Sequence, residues 1–149
     1  MKLAPFKSAL KGPVQFLLLG VLIYVLFRSN KLYVNKWLLN HTLGFELQRI
    51  RTFTLSIRDY LPEWLIYSLP DALWMLSLST LIYNIWKDES KKNQILWSLF
   101  PPIIAISWEV AQRLKLINGT FDWVDLLFYG LVTITLIFKL KTTRYEKTI

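Results

Sequence analysis

The sequence predicts an all-α integral membrane bundle of four transmembrane helices, with an interfacial segment between helices one and two. Three observations carry the prediction. Of 149 residues, 54% are hydrophobic and mean hydropathy is +0.35, high for a soluble chain of this size. The apolar residues run in long blocks rather than at amphipathic spacing. Tryptophans and basic residues gather at the borders of those blocks, where indoles and cations meet the membrane–water interface. The whole chain, residues 1–149, reads as one membrane domain.

A span needs roughly 20 mostly apolar residues, and four segments approach that: about 13–28, 64–86, 95–114 and 123–138. The first, "GPVQFLLLGVLIYVLF", follows Lys2, Lys7 and Lys11 and has the outline of a signal peptide. Arg28-Ser29-Asn30 offers no small-x-small cleavage site, so it is read as a retained span. Residues 31–60 are too charged to cross, but Leu43, Leu47, Ile50 and Phe53 recur at helical spacing and place part of the stretch along the interface. Asp71 opens the second span, where Ser68-x-x-Asp71 has the form of a capping box. Pro101-Pro102 should kink the third span. Asp122-x-x-Asp125 at the start of the fourth also allows capping, with Asp122 as N-cap. Trp86 and Trp97 flank the short loop between spans two and three, while Trp64, Trp108 and Trp123 mark the opposite ends.

Four spans put the N-terminus, the 87–94 loop and the C-terminus on one side. Lys2, Lys7, Lys11, Lys87, Lys91, Lys92, Lys139, Lys141, Arg144 and Lys147 lie there, against Arg28, Lys31, Lys36, Arg49, Arg51, Arg58, Arg113 and Lys115 on the other. Ten basic residues against eight favour cytoplasmic termini. The acids go the other way: of ten, Glu46, Asp59, Glu63, Asp71, Glu109, Asp122 and Asp125 lie toward the outer side.

The formal charge of +8 follows from basic residues that anchor span ends and meet anionic head groups. No nucleic-acid-binding pattern is present, and none is expected as a partner. With no cysteine, disulfides and thiolate metal sites are excluded. No nucleophile elbow, phosphate loop or paired-histidine motif appears, and no cofactor is specified. Asn40-His41-Thr42 and Asn118-Gly119-Thr120 match the glycosylation pattern, although a turn is the simpler use of Asn-Gly.

Glu109 is the residue that needs explaining. It lies late in the third span, where the helix dipole disfavours an anion. One account pairs it with Arg113 at i,i+4, both side chains reaching outward. The other turns Glu109 and Gln112 into the bundle toward Asp71 and Asp125, giving a polar pocket at one depth suited to ligand binding, cation binding or proton transfer. The catalytic candidates are then Glu109, Asp71 and Asp125, and the ligand-binding candidates are Gln112, Asp122, Arg113 and His41. A histidine beside carboxylates could hold a divalent metal, but no spacing specifies one.

Glu109-x-x-Gln112, a short loop, and Gly119-Thr120-Phe121-Asp122-Trp123-Val124-Asp125 leading to a span with Gly130 resemble the VanZ-like membrane proteins over about residues 60–138. Thr120 stands where that family often has Arg. The resemblance implies a multi-span cell-envelope protein of a family linked to glycopeptide-antibiotic tolerance, with no settled reaction. Asp71 corresponds loosely to the family's acid at the start of an earlier span. The expected function is a polar pocket near the outer leaflet that binds a lipid head group or cell-wall precursor. The alternatives are a cation or proton channel or transporter, and a small oligomerising accessory or defence subunit. Partners on these readings are membrane lipids, a polar lipid or cation ligand, and further copies of the chain.

Overall fold

A computed structural model describes residues 3–29, 31–40 and 44–146, with side chains between residues 10 and 141. The described residues are helical, with no strand. α1 (Leu3–Phe27) leads to two short helices, α2 (Tyr33–Leu39) and α3 (Gly44–Ile57), then a 3-10 turn (Arg58–Tyr60). α4 (Glu63–Ile66), α5 (Ser68–Ile85), α6 (Lys91–Arg113) and α7 (Trp123–Glu146) follow. Three helices are long and apolar enough to cross a membrane: α1 over Leu10–Phe27, α6, and α7 over Trp123–Lys141.

The expected second span divides. Its block, 64–86, breaks at Tyr67 into α4 and α5, and α5 is not among the three. The physical reason is its position. α5 packs against α1, α6 and α7, so Ser68, Ser77, Ser79 and Thr80 meet protein rather than lipid and are buried. Small side chains let neighbouring backbones approach. Ala72 and Met75 of α5 join Tyr129, Val132 and Leu136 of α7 in the apolar core, against Leu99, Ala105 and Ile106 of α6.

α1 meets α5 through specific contacts. The Ser77 hydroxyl donates to the Pro13 carbonyl at 2.7 Å. Gly20 lies under the Trp74 indole, which a Cβ there would strike. Trp74 also packs on Tyr24, centroids 5.3 Å apart.

The interfacial segment forms two helices, and α3 is inverted relative to a soluble amphipathic helix. Arg51 and Thr54 face inward and are buried, whereas Ile50 and Phe53 point outward. Leu47 is half-buried, and Leu43 lies outside the described residues. The buried polar face terminates α1. Thr54 Oγ1 donates to Leu26 O at 2.9 Å, and Arg51 Nη2 donates to Arg28 O at 2.6 Å. Asn35 Nδ2 of α2 donates to Arg28 O and Ser29 O at 3.2 and 3.0 Å. Carbonyls left over at a helix end need such donors, and a guanidinium there complements the dipole.

The Ser68-x-x-Asp71 capping box does not form. Ser68 is already the first residue of α5, behind a helical Tyr67, and its hydroxyl is buried with no hydrogen-bond partner among the described residues. Because α4 runs almost directly into α5, the backbone leaves no extended N-cap position for the serine to occupy.

Candidate functional site

α6 ends by a Schellman turn that returns the chain toward α7. Leu116 N donates to Ala111 O and Lys115 N to Gln112 O, with Lys115 in the left-handed region at φ 57°. The loop then runs back along the last turn of α6, where Glu109 and Gln112 hold it. Glu109 is 6% exposed, and its Oε2 accepts the backbone N–H of Asp122 at 3.2 Å. In the orientation that satisfies both ends of the Gln112 amide, Nε2 donates to Thr120 O at 3.1 Å and Oε1 accepts from Trp108 Nε1 at 3.2 Å. Two side chains one turn apart therefore grip two backbone groups two residues apart. That is a physical use for the Glu-x-x-Gln spacing.

Asp122 caps α7 as expected: its Oδ1 accepts the N–H of Val124 at 2.8 Å. The reciprocal half of a capping box is missing. The Asp122 N–H that Asp125 would have taken goes to Glu109 instead. Glu109 lies late in its own helix but at the N-terminus of the next, where the dipole favours an anion. Asp125, displaced from the cap, keeps its Oδ1 buried with no hydrogen-bond partner among the described residues.

Asp71, Glu109, Asp125 and Tyr129 lie within electrostatic reach of one another. Asp71 is half-buried on α5, Asp125 stands in the first turn of α7, and Tyr129 follows one turn later with 8% exposure. Arg28, at the end of α1, is the cation that acts on Asp71. Its guanidinium lies over the rings of Tyr67 and Tyr24, 4.6 and 5.4 Å from their centroids. Three carboxyl groups and one phenol thus lie toward the end of the bundle where α1 ends, α5 starts, α6 ends and α7 starts.

Arg113 does not join them. No Glu109–Arg113 ion pair forms; the guanidinium instead lies 5.4 Å from the Phe121 centroid and 5.9 Å from that of Trp123. His41 lies outside the described residues. Among the described residues no group of three or more His, Asp or Glu side chains is placed to hold a metal.

Sequence reasoning missed Tyr129, Arg28 and Trp108 as parts of this site. Tyr129 had a detectable signal, since it lies at i,i+4 from Asp125. Arg28 had none, because its role depends on α1 ending beside α5.

An apolar groove of about 660 Å³ leads away from the acidic end between α5 and α6. Trp74, Leu78, Phe100 and Ile104 line its length, and Glu109 and Tyr129 stand at its polar end. No protein-family model, curated protein or solved structure matches the chain.

Proposed function

We propose that the chain is a four-span, VanZ-like protein of the cell envelope that binds a membrane amphiphile. The tail occupies the α5–α6 groove, and a head group bearing an amine or hydroxyls faces Glu109, Asp71 and Asp125. The observation that carries this reading is that Glu109 belongs both to the apolar groove and to the acidic group. An amphiphile needs that continuity of apolar wall and polar terminus. With Glu109 buried and no cation among the residues that line the groove, the head-group position suits donors. The unpartnered Asp125 Oδ1 supplies a free acceptor.

A second reading, passage of cations or protons, draws on other unpartnered buried atoms farther along α5 and α6: Ser79 Oγ, Gln94 Nε2 and Ser98 Oγ. Apolar Ala72 and Met75 of α5, with Val132 and Leu136 of α7, follow the acidic end along the bundle. A conduction path needs polar or hydrated lining throughout. Binding is therefore the better reading.

The test compares phosphatidylethanolamine, whose ammonium donates hydrogen bonds, with phosphatidylcholine of identical chains. Lipid bound to the delipidated full chain is counted by native mass spectrometry. Glu109→Gln retains an acceptor for the Asp122 N–H, so it should fold with a stability loss of about 1 kcal/mol or less. It should nevertheless lose the preference for phosphatidylethanolamine. Ile104→Trp, which fills the groove, should reduce uptake of both lipids. A folded Glu109→Gln chain with an unchanged preference would remove Glu109 from the binding site and overturn the reading.

A further inference from the structure

A second apolar groove, of about 1050 Å³, lies between α1 and the shelf made by α2 and α3. It shares no residue with the acidic site. Leu18 and Leu22 of α1 form its long wall, Trp37 of α2 and Leu47 and Ile50 of α3 close the shelf side, and Gln15 also lines it. From Gln15 to Val25 the α1 wall runs about 15 Å at a helical rise, enough for much of one acyl chain.

The charge around this groove has the opposite sign from that of the acidic site. Between residues 28 and 58 stand six basic residues, Arg28, Lys31, Lys36, Arg49, Arg51 and Arg58, and one acid, Glu46. Four of the six have defined engagements. Arg28 stacks on Tyr24 and Tyr67, Arg51 donates to Arg28 O, and Arg58 Nη2 donates to the Tyr67 hydroxyl at 2.7 Å. Arg49 meets Glu46, which lines the groove, at 3.8 Å. Lys31 and Lys36 are exposed, and neither forms an ion pair among the described residues. Lys36 directly precedes the groove residue Trp37. The outward side chains of Tyr33, Trp37, Ile50 and Phe53 are large and apolar or aromatic, the composition of a segment suited to head-group depth, where exposed lysines meet lipid phosphates.

We infer that this groove is a binding site for an anionic phospholipid, with one acyl chain along α1 and the head-group phosphate held by Lys31 and Lys36. Charge complementarity selects the anionic lipid over a zwitterionic one, and the groove selects an acyl chain over a soluble phosphate.

The full chain, delipidated in detergent, is titrated with phosphatidylglycerol or phosphatidylcholine of the same chains, and bound lipid is counted by native mass spectrometry. The unaltered chain should favour phosphatidylglycerol by about tenfold at low salt, with the preference falling as salt rises. The double variant Lys31→Gln/Lys36→Gln changes exposed side chains only and should bring the two lipids near parity. Leu22→Trp projects an indole into the groove from a position 54% exposed, and should abolish the preferential uptake. Should that variant not fold, Leu18→Trp, at 60% exposure, makes the same test. Inorganic phosphate in excess should not compete with the lipid. Equal uptake of the two lipids by the unaltered chain would overturn the inference. So would a preference that survives either the double variant or the filled groove, or that free phosphate abolishes.

Discussion

Gly119 shows how closely the loop between α6 and α7 is fitted to the side chains beneath it. Its φ of 146° belongs to a region that side-chain-bearing residues rarely adopt, and an added Cβ would meet the Gln112 amide. Gly119→Ala should therefore destabilise the protein by roughly 1–3 kcal/mol, from backbone strain and loss of the Gln112 grip together. Thermal unfolding in detergent measures the sum, and a double-mutant cycle separates the parts. In a Gln112→Ala background the steric part disappears, so Gly119→Ala should cost less than it does alone. Equal costs in the two backgrounds would show that only φ matters. The sequence brought Asn118-Gly119 forward as a turn, and that much depends on local chemistry. Contact with Gln112 was not legible, because it arises only when the chain reverses at Lys115, a lysine in a conformation usually left to glycine. Glu109 raises the same difficulty. Both readings considered for it, an ion pair with Arg113 or a convergence with acids of other helices, overlook the backbone N–H that it accepts.

Among the elements, α3 depends most on interactions invisible to hydropathy. Its apolar residues mark it in the sequence as interfacial, and in the structure Ile50 and Phe53 point outward. Its inward face is polar because the end of α1 presents carbonyls. Arg51 and Arg28, and Thr54 and Leu26, are brought together across more than twenty residues of chain. Burial lowers the Arg51 pKa, but from so high a value that the guanidinium stays charged at neutral pH. Arg51→Met keeps most of the volume and removes the donors, which should cost about 1.5–3 kcal/mol. The accompanying sign should be faster proteolysis within residues 31–60, since α3 would lose its anchor to α1. Thr54→Val, which removes one neutral donor, should cost about 0.5–1.5 kcal/mol. If both variants unfold and are cleaved like the parent chain, the cap contributes nothing and α3 is held by its apolar face. α5 gives the converse lesson. It is not among the three helices long and apolar enough to span, yet its Ser68, Ser77, Ser79 and Thr80 are buried in a helix packed against α1, α6 and α7, so burial and apolarity diverge where lipid is the solvent.

At the scale of the whole molecule, the number of crossings determines on which side each loop and terminus lies. α1, α6 and α7 are each long and apolar enough to span, while α5, with 18 residues, reaches about 27 Å against a hydrocarbon core of roughly 30 Å. If all four cross, the 31–60 stretch and the 114–122 loop share one side, and the chain after α7 lies on the other. If α5 does not cross, everything from residue 31 to 90 stays on one side, the 114–122 loop lies opposite, and the chain after α7 returns to the side of 31–60. The acidic group favours four crossings, because Asp71 at the start of α5 lies within electrostatic reach of Glu109 at the end of α6 and Asp125 at the start of α7. α5 also packs against each of the other long helices, which a segment lying on the surface could not do. Reporter fusions within 31–60 and after Ile149 separate the two cases without reference to absolute orientation. Opposite compartments are expected. The ten-to-eight distribution of basic residues leads to the expectation of a cytoplasmic signal from the Ile149 fusion. Two fusions reporting from the same compartment would reduce the crossings to three and move the 114–122 loop across the bilayer from residues 31–60. The amphiphile site proposed between α5, α6 and α7 would then have no common leaflet to open into.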